Sequence, residues 1–183
     1  METLILLGVL AAILIAVAVI FNQLVGKRQL AANGWADIDV QLKRRADLVP
    51  QLVTTVKGYA THERALFEEI SARRSAALAA GDDPRARASA ENAFAKPLTR
   101  MIAVAEDYPE LKASGNFLDL QRQLAETEDK IEMARRFYNG AVRELNTAIG
   151  VVPGNLVAGL FGFRPRDYFE IASAAPAPSV GAP

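Results

Sequence analysis

His62 is the only histidine in the chain and cysteine is absent, so few reactions are within reach of its side chains. His62-Glu63 opens like a zinc-protease helix, but Leu66 stands where the second imidazole of His-Glu-x-x-His is needed. A di-iron bundle requires Glu-x-x-His pairs, and Tyr59 occupies the position three residues before His62. Neither a P-loop nor a dinucleotide-type glycine array occurs. Thiol catalysis, disulfides and thiolate metal sites are excluded by composition. These residues point away from an enzyme: no catalytic, cofactor-binding or metal-binding residue is assigned. His62 reads as a surface or boundary residue.

The charges are balanced, with 21 Lys and Arg against 21 Asp and Glu, and nothing marks a nucleic-acid binder. Lys43-Arg44-Arg45 reads as a solvated helix face paired with Asp39 or Asp47 at helical spacing. A role in binding anionic headgroups is disfavoured, because a rigid helix carries this triplet about 26 Å from Gly26. Lys27-Arg28 is better placed as a membrane-interface anchor. Glu126, Glu128, Asp129 and Glu132, near Arg135 and Arg136, suggest interhelix ion pairs reaching Arg44 or Arg45 rather than a metal site. Tyr138, Asn139 and Asn146 are candidates for buried polar groups that fix helix register.

A further candidate surface lies in VVPGNLVAGLFGFRPRDYFEI, which is apolar, glycine-rich and aromatic without a clean period. Leu156, Leu160, Phe161, Phe163, Arg164, Arg166, Tyr168 and Phe169 form either a cap folded over the rest of the chain or a surface for a partner or the membrane interface.

The elements that must position these residues begin with the first 26. From Thr3 to Gly26 there is no charge, and Leu4–Phe21 alone is about 27 Å long as a helix. A hydrocarbon core of about 30 Å needs roughly that length. The residues ahead of the run are an acid and no base, and Ala16-Val17-Ala18 lies inside it, so it reads as a retained anchor rather than a cleaved signal. Lys27, Arg28, Lys43, Arg44 and Arg45 all follow the span. The positive-inside rule then places the N-terminus outside and the body in the cytoplasm.

Beyond the anchor, alternating steps of three and four residues give Trp35, Ile38, Leu42, Arg45, Val49, Leu52, Val56, Tyr59, Glu63, Leu66 and Ile70. All but Arg45 and Glu63 are apolar or aromatic, which predicts a long heptad helix extending to about Ala80. Pro50 kinks or breaks it, and the surviving register favours a kink. Asp83 before Pro84 predicts a helix start, with Phe94, Leu98, Met101 and Ile102 on the apolar face. Pro97 should kink that helix. A second heptad run is Phe117, Leu120, Leu124, Thr127, Ile131, Ala134, Tyr138, Ala141, Leu145 and Ala148, a helix about 50 Å long. The fold class is all-α: a single N-terminal transmembrane helix followed by an elongated antiparallel three-helix bundle. The expected divisions are an anchor at 1–26, the bundle at 27–150, the aromatic segment at 151–171 and a disordered tail at 172–183. Span and first bundle helix approach a single rod, with Asn33-Gly34 its weak joint.

Three blocks carry a resemblance: WADIDVQLKRRADLVPQLVTTVKGYATHE, then RMIAVAEDYPELKASGNFLDLQRQLAETEDKIEMARRFYNGAVRELNTAI, then PGNLVAGLFGFRPRDYFE. In this order, from about Asn33 to Glu170, the chain resembles the LemA family. The resemblance implies one N-terminal membrane helix and a helical bundle, with no established enzymatic activity and no known functional residue. That family includes a protein required for magnetosome membrane formation, and its genes often lie near membrane proteases. Ala46, Gln51 and Pro97 depart from its usual Tyr, Asn and helix former. The function that follows is a non-enzymatic membrane-anchored scaffold that organises or docks a membrane-associated complex, or else a regulatory adaptor of a membrane protease, with an uncharacterised enzyme as the least favoured alternative. The expected partners are the lipid bilayer, other membrane proteins and further copies of the chain, which self-associate through heptad helices or the Gly8, Ala11, Ala12 and Ala16 face of the anchor.

Overall fold

Pro50 lies inside a helix that does not break. In the computed structural model, which describes residues 1–171, α1 runs continuously over Glu2–Lys57. Proline lacks the N–H that would bond the carbonyl of Ala46. Arg74 supplies the missing donor, its Nε bonding Ala46 O at 2.6 Å, and its guanidinium also pairs with Asp47 at 3.6 Å. The Pro50 ring itself is exposed. Replacing Arg74 by Met should therefore lower stability by about 1–2 kcal/mol, the cost of an unsatisfied carbonyl. In a Pro50→Ala background the same replacement should cost distinctly less, a coupling that chemical denaturation of the four variants would measure.

The remaining helices are α2 (Arg64–Ala79), α3 (Pro84–Glu106), the single turn α4 (Pro109–Lys112), α5 (Gly115–Gly150) and α6 (Gly154–Phe161). No strand occurs among the described residues. The heptad seam from Trp35 is thus carried by two helices, not one reaching Ala80. Gly58 follows the end of α1, and the chain turns so that Ala60, not Tyr59, is buried. Tyr59 and Glu63, the apolar and polar members of the expected seam here, fall in this turn, and His62 is exposed in it. The start of α3 is as expected: the Asp83 carboxylate accepts from Ala86 N at 2.8 Å with Pro84 in the first turn. The helix continues through Pro97, which is buried. The expected tail, 172–183, lies outside the described residues.

The described chain forms two compact units: one is Met1–Ala36 with Arg136–Tyr168, the other Asp37–Arg135 with Phe169 to Ile171. In the second unit, side-chain bonds fix the helix directions. Arg74 reaches Ala46 and Asp47, and Arg100 pairs with Glu69, so α1, α2 and α3 alternate in direction. Arg45 meets Glu128 and Asn116 meets Thr55, so α5 runs antiparallel to α1. Leu52, Val56, Ile70, Phe94, Met101, Leu111 and Phe117 fill the space between them. Thr127, the polar member of the α5 seam, is fully buried and satisfies itself by donating to Gln123 O at 2.7 Å.

In the first unit, Gly34 has a packing role. A Cβ there would lie 3.0 Å from Phe137 Cδ1 and 3.1 Å from the Tyr138 backbone, so α1 and α5 cross closely and a side chain here requires its neighbours to give. Trp35 packs beside this point, its ring 5.5 Å from that of Tyr138. Asn33-Gly34 is therefore also the point where α1 and α5 cross. Gly34→Leu should destabilise by about 1–3 kcal/mol through overpacking, read as a lower midpoint in thermal unfolding followed by circular dichroism.

Candidate membrane-interface site

The apolar stretch of α1 is bare until its last turns. Leu4 and Leu14 are 73% and 61% exposed, and none of the most apolar window is buried. Partial cover begins at Val17. Leu24 is buried with Val157 and Ala158 of α6, and Val17, Ile20, Ala148, Ile149 and Phe163 pack against them. Phe21 meets Phe161 edge-on at 4.8 Å and Phe163 at 5.6 Å between ring centroids. The segment without a clean period at 151–171 is therefore a short helix and an extended run.

Local chemistry explains this path. Gly154 begins α6 so close to the end of α5 that a Cβ would stand 2.1 Å from Ala148 O. Gly162, at φ 73°, ends α6 in the left-handed region, with Phe163 N–H donating to Ala158 O. The chain then rises along α5. Asn146 accepts from Arg166 N–H and donates to Arg166 O, both at 2.9 Å, and Tyr138 Oη donates to Asp167 O at 2.9 Å. These two polar side chains fasten the extended run to α5. In the other unit, Arg135 donates to Ile171 O at 2.8 Å.

The expected surface residues separate accordingly. Leu156 and Leu160 are 69% and 75% exposed, and Phe161 and Tyr168 are also exposed. Arg164 is exposed, while Phe163 and Arg166 are half-buried in the contacts above. Phe169 is completely buried and belongs to a core rather than to any surface. Lys27 pairs with Glu144 at 2.9 Å, and the Arg28 guanidinium sits 5.2 Å from the Phe163 centroid. Both cations thus also tie α1 to its neighbours.

A second polar constellation lies in the other unit. Arg45 Nη2 bonds Glu91 at 2.5 Å, and Nη1 bonds both Glu128 oxygens at 2.9 and 3.1 Å. Glu91 also accepts from Arg87 Nε at 2.9 Å, and Arg87 reaches Asp39 at 3.4 Å. Arg45 lies over Phe94, 5.6 Å from its centroid. Burial opposes charge on Arg45, but the Glu128 and Glu91 carboxylates outweigh it and raise its pKa above the usual arginine value. The expectation of ion pairs from the acidic stretch to Arg44 or Arg45 resolves to Glu128 and Arg45. Lys43 pairs with Asp39 at 2.7 Å. Arg87 and Glu91 were not apparent from the sequence, although Glu91 stands three residues before Phe94 on the same helical stripe. The cluster binds α1, α3 and α5 together. Among the described residues, no group of His, Cys, Asp or Glu is arranged to hold a metal.

The LemA family model matches residues 34–181. The chain belongs to the LemA family. Three magnetosome proteins share limited identity with it. Magnetosome protein MamQ 2 of Paramagnetospirillum magneticum is 25% identical over 170 residues, covering 79% of this chain and 62% of the relative. MamQ 1 of the same organism gives the same values. MamQ of Magnetospirillum gryphiswaldense is 23% identical over 185 aligned positions, covering 87% of this chain and 68% of the relative. This LemA-family chain therefore spans less than two thirds of the length of the two P. magneticum relatives. The apolar α1 and the family together fit a membrane-associated protein.

Proposed function

We propose that the chain is a single-pass membrane protein whose helical body is a non-enzymatic scaffold, organising or docking a membrane-associated complex. The observation that carries this reading is α1: an apolar stretch with no buried residue in its most apolar window, and a core-forming bundle helix, in one uninterrupted element. Water is a poor solvent for the first part, and the second part is built to pack. Relatives named for a cellular structure rather than for a reaction agree with it. In this reading the N-terminus is outside, the body is cytoplasmic, and the partners are other membrane proteins and further copies of the chain.

The test uses the full chain in its native membrane. It should resist alkaline extraction and, after mild crosslinking, be recovered with the same integral membrane proteins in constant proportion. The same span fused to an unrelated soluble domain should not recover them. Release by alkali, or recovery of the chain alone, refutes the reading. Since the chain has no cysteine, a Val40→Cys variant reports orientation: an impermeant maleimide should label it in inside-out vesicles and not in intact cells.

A further inference from the structure

We propose that α6 and the turn before it form a second membrane-embedded element, lying in the headgroup–acyl boundary of the bilayer that α1 crosses. The proposal rests on the reading of α1 as a span. Contacts within one compact unit fix its depth. Val157 and Ala158 are packed on Leu24, with Val17, Ile20 and Phe21 against the same cluster. Lys27 is the first charge after the apolar run. Counting back from it by helical rise, Leu24 lies about 4.5 Å deeper and Val17 about 15 Å deeper. Whatever is packed on Leu24 and Val17 is carried to those depths with them.

The chemistry of the outward face matches that position. Leu156 and Leu160 are exposed on α6 and Phe161 is half-exposed at its end, while Val152, 75% exposed, leads the turn into it. No charged residue occurs from Gly150 to Phe163. The next charges, Arg164 and Arg166, come once the chain has risen past Phe163, whose ring lies against Arg28. Apolar side chains below and arginines level with the end of the span are the arrangement of an interfacial helix, whose apolar face sits about 5–10 Å into the boundary. The occupant of this face is therefore lipid, acyl chain against Leu156 and Leu160 with headgroups at the level of Arg28.

The absence of cysteine allows a direct depth measurement on the full chain in phosphatidylcholine–phosphatidylglycerol vesicles. Leu160→Cys, Ile13→Cys and Val40→Cys are each labelled with an environment-sensitive fluorophore, and the vesicles carry a nitroxide near the carbonyl end of one acyl chain. Val40 lies about 20 Å beyond Lys27 along α1 and serves as the aqueous reference. The Leu160 label should be blue-shifted and quenched as the Ile13 label is, while the Val40 label is neither. Quenching at Ile13 without quenching at Leu160 overturns the proposal and leaves the span intact. No quenching at Ile13 overturns both. A Leu160 label that is blue-shifted but unquenched, with Leu160→Cys forming a crosslinked dimer, overturns it in favour of a second copy on this face.

Discussion

Arg45→Met should cost the protein about 3–5 kcal/mol, the usual penalty for removing one partner of a buried ion pair. The side chain is 3% exposed, as is that of Glu91. Glu91 would retain only Arg87, and Glu128, 24% exposed, would lose both of its bonds to Arg45 with little water to replace them. Methionine approximates the length and apolar stem of arginine, so the loss reports the charge rather than a cavity. Denaturant unfolding of the full chain in detergent checks the value. The double variant Arg45→Met, Glu128→Gln should recover most of the loss, because Glu91 keeps Arg87 and no charge then remains uncompensated. A loss below about 1 kcal/mol in the single variant would place the cluster with exposed ion pairs. The pH behaviour is also determined. Since the folded-state pKa of Arg45 is raised, its contribution is complete below the unfolded value and is lost only as pH rises through the folded one. That window lies above any pH used to handle a protein, so the Arg45 contribution should not vary with pH through the neutral range.

Ending the chain at Val152 should lower stability by about 3–6 kcal/mol, from the loss of two large buried side chains alone. These are Val157, which covers Leu24 in one unit, and Phe169, fully buried in the other. The truncation also leaves Tyr138 Oη and the Asn146 amide without the backbone partners that Asp167 and Arg166 supply. Thermal unfolding of the shortened chain, followed by circular dichroism in the same detergent, gives the result. A truncated protein of unchanged stability would show that the segment merely lies on the surface. The two readings of 151–171 are therefore not exclusive. Part of the segment is a structural cap, and the face of α6 turned away from it presents Leu156 and Leu160 to whatever lies beside the span.

The helical class, the long apolar N-terminal helix and the Asp83 cap were legible in the sequence because each rests on local information. An uncharged run of spanning length, a heptad repeat and a capping residue before proline act through neighbours within a few positions. What Pro50 and Gly34 meet was not legible for the same reason. Each answers a residue far away in the chain. Pro50 is accommodated by Arg74, and Gly34 lets Phe137 and Tyr138 approach closely. Likewise, the heptad spacing passed through Gly58 and Glu63 because periodicity registers which face is apolar, not whether the chain continues straight.

The sequence by itself determined that this protein is helical, that one stretch suits a bilayer, and that thiol and paired-imidazole chemistry are outside its means. Only the tertiary structure decided which charges are buried and what the aromatic segment covers. Arg45 stands at a core position of its heptad and Arg44 beside it does not, but the acids that neutralise Arg45 come from two other helices. The depth of α6 is likewise absent from its own eight residues, because it is set by contact with Leu24 and Phe21 on a helix more than a hundred residues earlier. Burial and depth are relations between distant segments, and no periodicity within either segment encodes them.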